Sequence, residues 1–353
     1  MSNILVTGGA GFIGSFIVDE LVKQGHFVRI FDNLQHQVHG GKIPSYLNNE
    51  AEFVKGDVRD YSDFSKALED IDIVFHEASL VGIEPSMKDV KEFVDINCSG
   101  TSNLLDIIIK KDLNIKKIII PGSVAIYGES VYECEGCGER KSEFRSSEQI
   151  SKKLWVVRCS KCNKEMKELS IPEDKEPNLN NIYSLTKYDQ EVMCLAVGKE
   201  YGIPATVLRY FNVYGPRQSA INPYSGVITK FVNNILANKD IQLFEDGKQS
   251  RDFVSVHDVV LANILAMKNS KGNYESFNVG TGKATTIQKI ADTLIELMNT
   301  DIKPIITGKH RVGDIRNCTA DIIKIKNLLG YEPKVDLKTG LKEVIEWHKN
   351  KNL

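Results

Sequence analysis

One stretch limits the folding options more than any other: Thr7-Gly8-Gly9-Ala10-Gly11-Phe12-Ile13-Gly14, between an apolar run at Asn3 to Val6 and a helical pattern from Phe12 to Lys23. A strand that turns straight into a helix through glycines leaves unpaired backbone N–H groups at the helix N-terminus, where the dipole also favours a pyrophosphate. Gly8 permits the tight turn, Gly11 lets phosphates approach the backbone beside Phe12 and Ile13, and Gly14 lets helix and strand pack closely. The next strand-like run, Phe27 to Phe31, ends in Asp32, eighteen positions after Gly14, with Asn33 beyond it. A carboxylate there accepts from both ribose hydroxyls and repels a 2′-phosphate, so NAD is the expected dinucleotide, contacted by Asp32 and Asn33.

Further strand-like runs at Ala51 to Val54, Ile71 to Phe75 and Lys116 to Ile120 alternate with helical patterns at Tyr61 to Leu68 and Asp89 to Lys111. Alternation of this kind specifies an α/β fold, a Rossmann-type doubly wound parallel sheet covered by helices on both faces. Asp57, just after the third run, is placed to accept from an adenine amino group, and Val58 to pack on the ring. The small residues of His76-Glu77-Ala78-Ser79 leave room for ribose and nicotinamide at the carboxyl edge of the sheet, with Ala78 in contact and His76 structural. The 353 residues carry a net charge of −2 with both signs interspersed, which offers no field for nucleic acid or an anionic membrane. With no long apolar run and a first strand starting at Asn3, a cytoplasmic protein is expected.

The fifth strand-like run leads into Pro-Gly-Ser-Val-Ala-Ile-Tyr-Gly (121–128), and a helical pattern from about Asn180 to Tyr201 contains Tyr183-Ser-Leu-Thr-Lys187. Residues four apart share a helix face, so the Lys187 ammonium can sit near the Tyr183 phenol and stabilise its phenolate. Ser123, Tyr183 and Lys187 resemble the catalytic set of the short-chain dehydrogenase/reductase superfamily, and the glycine spacing resembles its extended, sugar-nucleotide-modifying branch. The resemblance implies that Tyr183 is the base, that Ser123 binds the same substrate oxygen, and that Asn97, Tyr183 and Lys187 contact NAD. It further implies Asn212, Arg251, Arg311 and Asp314 as contacts to the nucleotide sugar, the arginines clamping the diphosphate, with surface ion pairing as the plain alternative for each arginine. Counting along the same loop places Cys318 as a small gate beside the sugar, or else as a buried core thiol. Dehydratases of this branch carry Asp-Glu after the catalytic hydroxyl residue; Val124 and Ala125 stand there and cannot transfer protons. Departures from the usual pattern fall at Pro121-Gly122 and at Glu77. The helices at 89–111 and 180–201 carry apolar residues on more than one face, as in relatives that form homodimers.

Between Gly128 and Tyr183 the chain is longer than is usual for this branch, and the extra piece holds Cys134, Cys137, Cys159 and Cys162. Two Cys-x-x-Cys pairs separated by 21 residues suit one structural, tetrahedral zinc. Ordinary reduced thiols, a redox pair and a nucleic-acid finger are the alternatives; the last would need a basic face that the balanced charges do not supply. The reading divides the chain into an NAD-binding Rossmann domain, 1–128 and 177–210 with strands returning from about 250–280; a four-cysteine zinc-binding insertion, 129–176; and 211–353, mainly for the nucleotide sugar. Within the branch the insertion and the loop Ser79 to Met87 resemble dTDP-L-rhamnose 4-epimerases. NAD-dependent epimerisation of a nucleotide sugar at C4, through a 4-keto intermediate, is therefore expected. A UDP-sugar 4-epimerase, another epimerase or keto-sugar reductase of this fold, and a non-catalytic NAD-binding sensor are the alternatives.

Overall fold

The computed structural model describes residues 1–142, 145–219, 226–310 and 314–351. Seven parallel strands form the central sheet: β1 (Asn3–Thr7), β2 (Phe27–Asp32), β3 (Glu52–Lys55), β4 (Ile73–His76), β5 (Lys117–Ser123), β6 (Ala205–Tyr210) and β7 (Glu275–Val279). Their spatial order is β7-β6-β5-β4-β1-β2-β3, so the chain reverses direction across the sheet between β1 and β4. Such a switch point opens a crevice at the carboxyl ends of the strands, which is where open α/β sheets bind ligands.

All seven residues of β5 are buried, as expected of a parallel strand covered on both faces. On one face, α1 (Phe12–Lys23) and the helix Val256–Lys268 pack Ile17, Val18, Leu21, Val259 and Ala262 against Ile4, Val6 and Ile30. On the other, Phe64, Leu104, Ile108 and Cys194 close over Leu5, Val74 and Ile118. A separate apolar cluster joins the helices Val227–Leu236, Ile287–Met298 and Leu337–Lys351 around Phe253 and Leu243. The insertion adds a small antiparallel sheet in which Val131–Glu133 is flanked by Arg140–Lys141 and Lys167–Leu169. Among the described residues no helix is long and apolar enough to cross a membrane.

The helical pattern at 89–111 is one continuous rod with an irregular middle: α-helix at Val90–Phe93, a π-helical stretch at Val94–Ser99, then α-helix at Gly100–Lys110. The wider turn carries Asn97, fully buried, whose amide donates to the Leu80 carbonyl (3.1 Å) and whose oxygen accepts from the Leu80 N–H (2.8 Å). Periodicity alone does not reveal a π turn, because it adds a fraction of a residue to one turn while the apolar face continues. The long helix Ile182–Tyr201 has sharper punctuation. Asn181 caps its first turn by accepting from the Ser184 N–H at 2.8 Å, and Gly202 ends it in the left-handed conformation.

The turn from β1 into α1 is shaped by contact. A Cβ at position 14 would lie 2.3 Å from the Gly8 carbonyl oxygen, and Gly8 itself has φ +66° with the Ala78 backbone against it. Gly14→Ala should therefore lower stability by about 1–3 kcal/mol through overpacking, read as a lower urea midpoint at unchanged slope. An unaltered midpoint would show that this close approach does not constrain the turn.

Candidate active site

The first three residues of an α-helix have no intrahelical acceptor for their N–H groups. In α1 these are Phe12, Ile13 and Gly14, and the capping position is Gly11, which has no side chain to occupy them. They face a cavity of about 510 Å³ at the switch point. Gly8, Gly11, Phe12, Ile13, Gly14, Asp32, Asn33, Asp57, Val58 and Ala78 all line it, and so do Ser123, Tyr183, Lys187 and Asn212. A glycine cradle with free amides and a carboxylate at the end of the next strand fits a dinucleotide, so the residues present suit NAD.

Asp32 is locked into this turn. Its carboxylate accepts from the Ala10 N–H (3.1 Å) and the Leu34 N–H (2.8 Å), while His39 lies 4.0 Å away; burial pushes the carboxyl upward against these favourable contacts. Asp57 sits on the opposite balance: burial pushes it up, but hydrogen bonds from Arg59 and Asn33 win and hold it at about 2. His76 is pinned between Thr7 Oγ1 (3.0 Å) and Thr101 Oγ1 (3.1 Å), and burial drives it down to about 3. It is a neutral brace between β1 and the neighbouring helix. Asn97, by contrast, does not line the cavity; it holds the loop after β4 by both polar atoms and touches Thr186 at 3.0 Å.

Tyr183 hydrogen-bonds Ser123, which tends to lower its pKa, but burial dominates and raises it. Burial also brings Lys187 down to about 8, with Glu77 pulling the other way. Its ammonium donates to Gln190 Oε1 at 2.8 Å, one of the three bonds it can make. Tyr183 and Lys187, one turn apart on the same helix, both line the cavity. Glu77 is raised to about 7 by burial and accepts from the Tyr210 hydroxyl (3.0 Å), which in turn accepts from the Asn263 amide (2.8 Å). Glu77, Tyr210 and His39 all line the cavity, and none has a spacing signal that would single out its part. Val124 and Ala125, on the short 3-10 turn after β5, complete the wall without a titratable group.

The remaining sugar-side candidates lie elsewhere. Arg251 and Asp314 pair at 3.0 Å outside the lining of this cavity, and the Arg251 guanidinium also donates to the carbonyls of Ile315 (2.9 Å) and Arg316 (3.3 Å). Arg311 lies outside the described residues. Cys318 corrects the expected gate: it is fully buried, packed with Ile126, Tyr127, Ile171, Phe211 and Ala320, and does not line the cavity. A count along the loop does not tell which way the side chain faces; the Cys318 carbonyl accepts from the Asp252 N–H (2.8 Å), and the side chain lies in the core.

In the insertion, Cys134, Cys137, Cys159 and Cys162 bring their sulfurs within 4.8 Å of one another. Three of the separations are 3.4, 3.4 and 4.0 Å. These bracket the tetrahedral edge of about 3.8 Å implied by a Zn–S bond of about 2.3 Å. The two halves repeat one geometry. Gly138 (φ +68°) and Asn163 (φ +57°) each follow their pair in the left-handed conformation, and each donates its N–H to the carbonyl of the first cysteine, at 2.8 and 3.0 Å. Glycine and asparagine are the residue types that adopt this conformation most readily.

Residues 4–280 match the NAD dependent epimerase/dehydratase family. The chain is 32% identical over 348 residues to dTDP-L-rhamnose 4-epimerase of Burkholderia thailandensis, covering 98% of this chain and 94% of that one. Its fold is similar to that of UDP-glucose 4-epimerase of Thermotoga maritima solved with UDP-glucose (TM-score 0.82, 33% identity, 99% and 100% of the two chains). It is also similar to that of UDP-N-acetylglucosamine 4-epimerase of Methanobrevibacter ruminantium solved with UDP-N-acetylmuramic acid (TM-score 0.80, 30% identity, 99% of each chain).

The packing around Cys318 separates a core residue from a gate. Cys318→Tyr should destabilise the fold by about 1–3 kcal/mol and depress turnover of large and small sugars alike. Selective loss of the larger ones, at an unchanged melting temperature, would restore the gate.

Proposed function

We propose, since this chain belongs to the NAD dependent epimerase/dehydratase family, that it inverts the C4 hydroxyl of a nucleoside-diphosphate sugar, with dTDP-L-rhamnose or its C4 epimer as the first candidate and a UDP-hexose as the second. The observation that carries this reading is the single cavity that unites the glycine cradle and Asp32 with Ser123, Tyr183 and Lys187. Bound NAD supplies a hydride acceptor that returns what it takes, so no second substrate is needed. Tyr183 takes the proton of the C4 hydroxyl, Ser123 holds that oxygen in line, and Lys187 supplies positive charge to the phenolate side of the site. The 4-keto sugar then presents its other face while its diphosphate stays held; Asn212, Arg251, Arg311 and Asp314 are the proposed contacts to that nucleotide portion. Val124 and Ala125 offer no proton shuttle, which favours oxidation and reduction at one carbon over loss of water.

In the same reading 129–176 is a zinc-bearing insertion and 211–353 mainly serves the nucleotide sugar, while 1–128 and 177–210 bind NAD. A second copy of the chain is the proposed partner. Val90, Val94, Leu185 and Val192 are 43, 36, 45 and 45% exposed on two helices that pack side by side, an apolar stripe suited to pairing as a four-helix bundle.

Incubation with dTDP-L-rhamnose and with UDP-glucose, followed by NMR of the sugar ring, should show the C4 epimer of one of them without added cofactor. Tyr183→Phe should retain bound NAD and lose roughly 10²- to 10⁴-fold in rate. Near-normal turnover by that variant would remove the phenol from the mechanism. Light scattering at micromolar concentration should return twice the chain mass, and a monomer would contradict the paired helices.

A further inference from the structure

The insertion has little core of its own. Its buried apolar cluster is Tyr132, Cys134, Val157, Cys159 and Met166, so two of its five members belong to the cysteine site. Beyond bonds to Arg209 and Asn278 at its far end, it is fastened along the segment 314–321. The buried Glu129 carboxylate accepts from the backbone N–H of Arg316 at 2.9 Å, and the Tyr132 hydroxyl lies 2.9 Å from that carboxylate and 3.1 Å from Asn317 Oδ1. Ile171 donates to the Thr319 carbonyl (2.8 Å) and accepts from the Asp321 N–H (2.9 Å). Arg145 makes two 2.8 Å bonds to Glu245, both side chains 1% exposed, and a third of 3.0 Å to the Asp314 carbonyl. The same segment is also gripped by Arg251, through the Asp314 side chain and the Ile315 carbonyl, and by the backbone N–H groups of Ser250 and Asp252, which donate to the Arg316 and Cys318 carbonyls.

Segment 314–321 is thus clasped between the insertion and Arg251, and one half of the clasp depends on a cluster too small to fold by hydrophobic burial alone. A metal held by four thiolates supplies the missing order, because binding free energy at such a site is folding free energy. We propose that the four-cysteine site is a remote positioning element for the nucleotide-sugar half of the enzyme: a zinc ion on Cys134, Cys137, Cys159 and Cys162 orders the insertion, and the insertion sets segment 314–321 and with it the Asp314–Arg251 pair. The link to substrate rests on the proposed reading of Arg251 and Asp314 as nucleotide contacts. The dinucleotide cradle shares none of these bonds and stands outside the control.

The wild-type enzyme should contain one zinc per chain by plasma mass spectrometry, and the Cys137→Ser/Cys162→Ser double variant none. Loss of zinc should speed hydrogen exchange across 314–321 and raise the KM for the turned-over nucleotide sugar by roughly tenfold, with NAD content and exchange across 3–14 unchanged. Arg145→Met, which keeps the cysteines and cuts the clasp, should raise KM similarly with zinc retained. A wild type without zinc, exchange at 314–321 indifferent to zinc, or a rise shared equally by 3–14 would each overturn the proposal. Should the wild type bind no nucleotide sugar, the functional reading fails, and the exchange comparison alone still decides whether the metal governs this segment.

Discussion

The nucleotide end of the molecule depends on a backbone contact: α1 can start where it does only because position 14 has no side chain to strike the Gly8 carbonyl. That contact sets the helix axis, and the axis aims three unpaired amides at the crevice. The same turn reaches sideways to the next strand. Gly8 N–H donates to the Phe31 carbonyl at 2.9 Å and Ala10 N–H to the Asp32 carboxylate at 3.1 Å, so the phosphate end and the ribose end of the cradle are one rigid object. A ligand entering it meets groups already in place, which reduces the ordering that binding must supply.

The chemical end is held differently. Desolvation moves Tyr183 and Lys187 in opposite directions, the phenol up and the ammonium down, because each loses hydration in its charged form; Lys187 is buried, whereas Tyr183 keeps part of its surface open to the cavity. Glu77, Tyr210 and Asn263 form a hydrogen-bonded chain along the same wall. Both parts of the cavity carry groups whose charge answers to one another: Glu77 and Lys187 beside the phenol, Asp32 and His39 in the cradle.

Most of what local rules govern could be read from the chain. Glycine spacing, an acidic residue at the end of the second strand and a Tyr-x-x-x-Lys helix each act over a few residues, and the residues so chosen line one cavity. What escaped is long-range. The π turn at Val94–Ser99 leaves no mark in periodicity, and it carries Asn97, whose side chain bonds both backbone groups of Leu80. Cys318 has two readings in the sequence because counting along a loop cannot tell which way a side chain faces; in the structure it is buried beside Ile126, Phe211 and Ala320. Helix ends were legible to within a residue or two where a cap is present, as at Asn181 and Gly202.

The repeated turn in the insertion has a consequence for how such a site is assembled. Because Gly138 and Asn163 each close their own knuckle by a local bond, either half can take shape before the other arrives. What remains is to bring two finished hooks together across the 21 residues between Cys137 and Cys159. Closing a loop of that length costs about 3 kcal/mol, small beside the roughly 10 kcal/mol a structural zinc site can return. An ion held there would act as a buckle on a strap whose two ends are already forged, and a single cysteine lost from either hook would leave the other with nothing to fasten to.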